Sequence, residues 1–130
     1  TSHGHLAEEI LKSASMIAGD TSDILYVNME PEDGLEGTTL KMKKVIETCA
    51  DQPVLIVADL FGGTPFNVAS MVAAKRKNTR VVSGLNLGMI IEYTVSSMED
   101  VNELCDYLLS VGKQGIMTVH IDEDDDVDIG

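Results

Sequence analysis

Tryptophan is absent from these 130 residues, and only three tyrosines and two phenylalanines supply aromatic bulk. The core must therefore be aliphatic, built from Val, Ile, Leu, Met and Ala. Positive charge is scarce: nine Lys and Arg stand against 22 Asp and Glu, a formal net charge of −13. Binding to nucleic acid needs cations that displace condensed counterions, so the chain is not expected to bind it. Anionic membrane surfaces are disfavoured on the same ground, and basic partner surfaces are favoured. Long apolar runs are missing as well. Val54 to Ala58 is stopped by Asp59, far short of the roughly 18 apolar residues of a membrane-spanning helix, and no signal-peptide pattern is visible. Cysteine is limited to Cys49 and Cys105, with no CxxC. Both lie on apolar faces of expected helices and read as reduced, buried thiols of a cytosolic protein.

What is present suits a single domain, since 44% apolar residues in a chain of this length suffice for one core. The hydrophobic period alternates between helix and strand. Leu6, Ile10, Leu11, Ala14 and Ile17 recur at helical spacing and end at Gly19, a C-cap residue. Residues 24–29 (ILYVNM) are β-rich, and Pro31 to Gly34 form a turn. A helix from about Thr39 to Ala50 follows, then the strand 54–59 (VLIVAD), apolar until its last residue as a parallel strand covered on both faces must be. A helix is expected from Pro65 to about Lys77, a β segment over 80–85 and a helix over 86–95. Another helix is expected over Met98 to Val111, opened by a capping box at Ser97 and Asp100 and ended by Gly112, and a final strand over 115–122. Alternating strands and helices imply an α/β domain with a mostly parallel sheet. In such sheets ligands bind outside the carboxyl ends of the strands.

That rule points to Asp59 and the stretch LFGGTPFN behind it. Gly62 and Gly63 permit positive φ and close approach of a ligand to the backbone. Thr64 suits an N-cap and Pro65 the first helical turn, where a missing N–H costs nothing. Free amides at the positive end of the helix dipole favour an anion such as phosphate. Asp59 is placed to take the Nδ1–H of an imidazole and leave Nε2 as a nucleophile. The imidazole on offer is His3, in Ser2-His3-Gly4 directly ahead of the first amphipathic helix. His5, two residues on, shares no helix face with it and reads as a bystander or rim contact. No further His or Cys stands at workable spacing for a metal site, so none is expected, and no cofactor either. His120 in the last strand reads as structural. The acidic stretch Asp122 to Asp128 reads as a solvated tail, because it lacks the glycine of a calcium loop.

These residues resemble the IIA component of the mannose/fructose/sorbose-family phosphoenolpyruvate-dependent sugar phosphotransferase system. The likeness runs through SHGHLAEEIL near the start, VADLFGGTPFNVAS, VVSGLNLGMIIE (81–92) and GKQGIMTVHID (112–122), nearly the whole chain. It implies that His3 takes a phosphoryl group at Nε2 from the histidine-containing phosphocarrier protein and passes it to a IIB component, which phosphorylates sugar during uptake. Asp59 would orient His3, and Thr64, with Gly62 and Gly63, would meet the phosphoryl group. The implied fold is doubly wound, with four parallel strands and helices on both faces. A C-terminal antiparallel strand, around Ile116 to Ile121, would be exchanged between the subunits of a homodimer. The resemblance places the IIA domain at 1–122 and an acidic tail at 123–130, in a cytoplasmic protein that meets the membrane only through its transporter. Family members carry a short apolar strand ahead of the SHG motif, so roughly 6–8 further residues are expected before Thr1.

Two other α/β readings are weaker. An aspartate-phosphorylated receiver needs an acidic pair after its first strand and a lysine after its last, where this chain has Ser2-His3 and Ile121-Asp122. A non-catalytic phosphate-binding module lacks support from any G-x-G-x-x-G or P-loop. The phosphoryl-donor subunit of a dihydroxyacetone kinase system is a closer rival, but FGGTPFN matches the sugar-transport IIA components better.

Overall fold

A computed structural model describes residues 1–122. The elements run β1 (Ser2–His3), α1 (Leu6–Ala18), β2 (Asn28–Met29), α2 (Gly34–Glu47), β3 (Val54–Ala58), α3 (Thr64–Ala74), β4 (Thr79–Ser83), α4 (Leu87–Val95) and α5 (Val101–Gln114). Among the described residues both strand pairs are parallel, as the alternation of elements implies, and a single antiparallel bridge joins Gly4 to Met29.

β3 lies at the centre because it is apolar on both faces. Ile56 and Val54 turn to a cluster with Met42 of α2 and Val68 and Ala69 of α3. Leu55 and Val57 turn to the opposite face, against Met89 of α4 and Leu104 and Leu108 of α5. α1 joins that second face, where Leu11 and Ala14 pack on Ile90. Helices therefore cover both faces. Leu108 and Val68 are fully buried, and truncating Leu108 to Ala is expected to cost about 2–5 kcal/mol.

The strands do not form one continuous ladder. β1 pairs with β2, and β3 pairs with β4 over five residues from Val54↔Thr79 to Ala58↔Ser83. The pairs meet where the Thr1 nitrogen donates to the Val57 carbonyl at 2.8 Å. β2 pairs with β1 over Ser2↔Asn28 and His3↔Met29, so it runs over 28–29 where 24–29 was expected. Beside the first half of β3 a cavity of about 380 Å³ opens, with Leu11, Ile24, Val27, Ile56, Ile90 and Leu108 in its walls.

Other boundaries moved for local reasons. α2 begins at Gly34, five residues ahead of expectation, because the chain has already turned at Pro31–Asp33. Asp33 Oδ2 accepts the Glu30 N–H and the Lys41 ammonium there, at 2.7 and 2.6 Å. α5 is capped by Asp100 alone, whose Oδ1 takes the Asn102 and Glu103 amides. Gly112 does not end it. That residue lies inside the helix, where a Cβ would come within 2.8 Å of Met89 Cε. Cys49 and Cys105 are free and half-buried.

Residues 116–122 form no strand within the chain. Ile116, Met117, Val119 and Ile121 are exposed. His120, expected to be structural, is exposed and among the described residues pairs with Asp122 alone. The acidic tail at 123–130 lies outside the described residues.

Candidate functional site

The carboxyl ends of β1 and β3 bring the two singled-out residues together. His3 Nδ1 lies 2.9 Å from Asp59 Oδ2, and the His3 backbone N–H donates to the same oxygen at 3.0 Å. An ionised carboxylate only accepts, so Nδ1 carries the proton and Nε2 keeps a free lone pair. The His3 side chain is 43% exposed and that of Asp59 only 12%. Burial pushes the Asp59 carboxyl upward, but the ring and backbone hydrogen bonds from His3, with its charge, outweigh it and leave the group below its ordinary value. The other oxygen, Oδ1, is buried without a partner among the described residues.

The ring is placed from both sides. Gly4, at φ 56°, turns the chain away immediately after His3 and donates to the Met29 carbonyl at 2.8 Å. On the other side the imidazole edge rests on Gly63, where a Cβ would stand 2.6 Å from His3 Cε1 and 3.3 Å from Nε2. The free nitrogen thus faces the glycine turn. Gly62 has φ 81°, the left-handed conformation that glycine supplies.

The helix start differs by one residue from expectation. Gly63 is the N-cap, Thr64 the first helical residue and Pro65 the second, and no side chain caps the helix. The Thr64 and Phe66 amides therefore have no carbonyl of their own helix to bond. Thr64 is not consumed as a cap. Asn67 Nδ2 donates to the Gly62 carbonyl at 3.1 Å and its backbone N–H to that of Gly63 at 2.9 Å, so the turn is pinned to its helix. The Gly63 amide is spent on the Leu60 carbonyl at 3.1 Å, so the result is a nucleophilic nitrogen facing a rigid turn followed by the Thr64 and Phe66 amides, which can meet an anion.

His5 stays out of this arrangement. Its Nε2 meets Glu30 Oε1 at 2.5 Å, beyond the end of β2, and Nδ1 lies 3.9 Å from Glu8. Three contributors escaped sequence reasoning. Buried Ser2 accepts the Ala7 N–H at 2.7 Å and so ties β1 to α1. Asn67 left a signal in its spacing of five from Gly62, and Glu30 left none. Among the described residues no group of three or more His, Cys, Asp or Glu is placed to hold a metal.

The sequence profile of the family described as "PTS system fructose IIA component" matches residues 1–108. The chain belongs to this family of mannose-type IIA components. The sorbose-specific EIIA component of Lacticaseibacillus casei is 30% identical over 130 residues, covering 95% of this chain and 94% of that protein. The mannose-specific EIIAB component of Escherichia coli K12 is 27% identical, and its match covers 88% of this chain but 36% of that longer protein. Among solved structures, the mannose/sorbose-specific IIA subunit from Enterococcus faecalis superposes with a TM-score of 0.90 at 45% identity, covering 94% and 92% of the two chains. The EIIA component from Streptococcus agalactiae does so at 0.81 and 30% identity, covering 90% and 92%. No described helix of this IIA chain is long and apolar enough to cross a membrane.

Proposed function

We propose that this IIA chain is a phosphohistidine carrier in sugar uptake. His3 Nε2 attacks the phosphoryl group carried on a histidine of the phosphocarrier protein. A P–N bond forms at Nε2 as the donor's P–N bond breaks, and the donor imidazole leaves with the electron pair. Asp59 keeps the Nδ1 proton in place and balances the positive charge that grows on the ring. Thr64 and the amides behind Gly62 and Gly63 take the equatorial oxygens, in a reaction that depends on positioning and charge stabilisation. The reverse sequence of bonds delivers the group to a IIB component.

The observation that carries this reading is the 2.9 Å contact of His3 Nδ1 with Asp59, with Nε2 turned to Gly63. The sugar is of the mannose, sorbose or fructose type named for the relatives, although the carrier never touches it. The carrier works in the cytoplasm as a homodimer. The exposed apolar residues of 116–121 and the edge of β4, unpaired among the described residues, support an exchanged antiparallel strand, because apolar side chains left in water are costly.

Intact mass tests the relay after incubation with phosphoenolpyruvate, enzyme I and the phosphocarrier protein. One added phosphate of about 80 Da is expected, acid-labile as a phosphoramidate and absent from His3→Ala. Uptake undiminished in His3→Ala would overturn the assignment. No uptake by a folded wild-type chain would leave a phosphate-binding module instead.

A further inference from the structure

Both phenylalanines of the chain, Phe61 and Phe66, stand in the stretch behind Asp59. Their rings meet at a centroid distance of 4.7 Å and an interplanar angle of 44°. The Gly63 N–H closes a turn on the Leu60 carbonyl, so Phe61 and Gly62 form its corner. Gly62, at φ 81°, supplies the conformation that the third residue of a type II turn requires. The ring contact fastens that corner to the first turn of α3. It leaves Phe61 76% exposed and Leu60 beside it 60% exposed. Leu35, at the start of α2, is exposed as well and lies on the same rim, since α2 and α3 pack together and both begin where strands end. Single exposed apolar side chains are ordinary, whereas a contiguous group beside a reactive atom marks an interaction surface.

What must be reached from that surface defines its occupant. The His3 ring rests on Gly63, two residues on from Phe61. In-line transfer needs the donor phosphorus within about 3–3.5 Å of Nε2. A protein that carries the phosphoryl group must therefore cover the turn bordering His3, and aromatic side chains are enriched in such contacts. Charge narrows the occupant further. Glu8 and Glu9 lie in the first turn of α1, and Glu30 and Glu32 follow β2. Lys12 and Lys41 are engaged by Glu8, Glu9 and Asp33. Four more of the nine cations, within residues 75–80, lie where β4 begins, at the opposite end of the sheet. The rim around His3 is thus apolar at its centre and acidic around it.

We infer that Phe61, with Leu60 and Phe66, is the apolar anchor on which the phosphoryl-donor protein seats, and that the donor presents its phosphohistidine in an apolar patch ringed by lysine and arginine. The inference rests on the relay reading above. Phe61 supplies docking and takes no part in the chemistry at Nε2.

Steady-state phosphorylation by the phosphorylated phosphocarrier protein tests it, on the wild-type chain and its Phe61→Ala and Phe61→Leu variants. Inorganic phosphoramidate serves as a second donor that needs no docking surface: His3 Nε2 attacks its phosphorus, the P–N bond breaks, and ammonia leaves with the electron pair. Phe61→Ala should raise KM for the protein donor about tenfold while kcat and the phosphoramidate rate stay near wild type. Phe61→Leu should recover most of that loss. Opposite charges on the two proteins should make kcat/KM fall several-fold between about 0.05 and 0.5 M salt. An unchanged KM in Phe61→Ala overturns the anchor, and a kcat/KM indifferent to salt overturns the basic ring. Equal losses with both donors place Phe61 in the geometry of the turn and overturn docking. A Phe61→Ala chain that keeps its KM but dissociates in sedimentation assigns the face to a second copy, which overturns the inference as well. A wild-type chain phosphorylated by phosphoramidate and not by the phosphocarrier protein sinks the relay reading itself, and the anchor with it.

Discussion

Gly63→Ala tests the site with the smallest possible change, one methyl group. Gly63 has φ −71° and ψ 164°, an extended conformation open to any residue, so the backbone resists nothing. The obstacle is the ring. A Cβ at 2.6 Å from His3 Cε1 must gain about 1 Å to reach ordinary packing distance, and the Leu60 carbonyl at 3.3 Å hinders retreat the other way. Since His3 is 43% exposed, the ring can swing outward instead of unfolding the protein. Swinging stretches the 2.9 Å bond to Asp59, a charge-assisted bond worth about 1.5–3 kcal/mol. Global stability should therefore change by less than about 2 kcal/mol, while a 1 Å displacement of the nucleophile should slow phosphoryl acceptance on the order of 100-fold. Thermal unfolding measures the first and rapid-quench phosphorylation by the phosphocarrier protein the second. Acceptance at the wild-type rate would refute the claim that Gly63 sets the position of Nε2. A collapse in stability would refute the claim that the ring can yield.

Gly62→Ala should show the opposite balance. No atom lies within 4 Å of its Cβ, but φ 81° imposes about 1–2 kcal/mol of backbone strain, readable as a lower thermal midpoint. Ser2→Ala orphans the buried Ala7 amide and should cost about 1–3 kcal/mol in denaturant unfolding, loosening α1 from β1. Asp59→Asn should slow phosphorylation and change the acid profile. Because the folded carboxyl titrates below its ordinary 3.8, its stabilisation is complete above that pH and is lost as pH falls through the folded value. The stability gap between wild type and variant should narrow below about pH 4, and a gap constant down to pH 2 would contradict the assigned pair.

Much of the site was legible because one strand announces it. Five apolar residues closed by Asp59, then two glycines and a helix-starting threonine, can be read without a structure. The meeting of His3 with Asp59 was legible through topology, since both end parallel strands. The cap was misplaced by one residue because Gly63 and Thr64 both suit an N-cap, and only the packing of Gly63 on His3 decides between them. Gly112 misled for a related reason. Its missing side chain serves the close approach of Met89, and nothing local distinguishes a packing glycine from a helix stop. The bounds of β2 were illegible in 24–29 alone, because a strand's limits depend on the partner backbone alongside. Ser2 escaped because a hydroxyl bonded to main chain has no sequence period.

The doubled bond at Asp59 has a consequence for the proposed relay. The main-chain N–H of His3 donates to the same carboxylate oxygen as the ring, so the acceptor is fixed by a bond of its own beside the one that sets the tautomer. Loading and unloading then begin from the same tautomer, and turnover requires no proton rearrangement on the side of the ring away from the phosphorus.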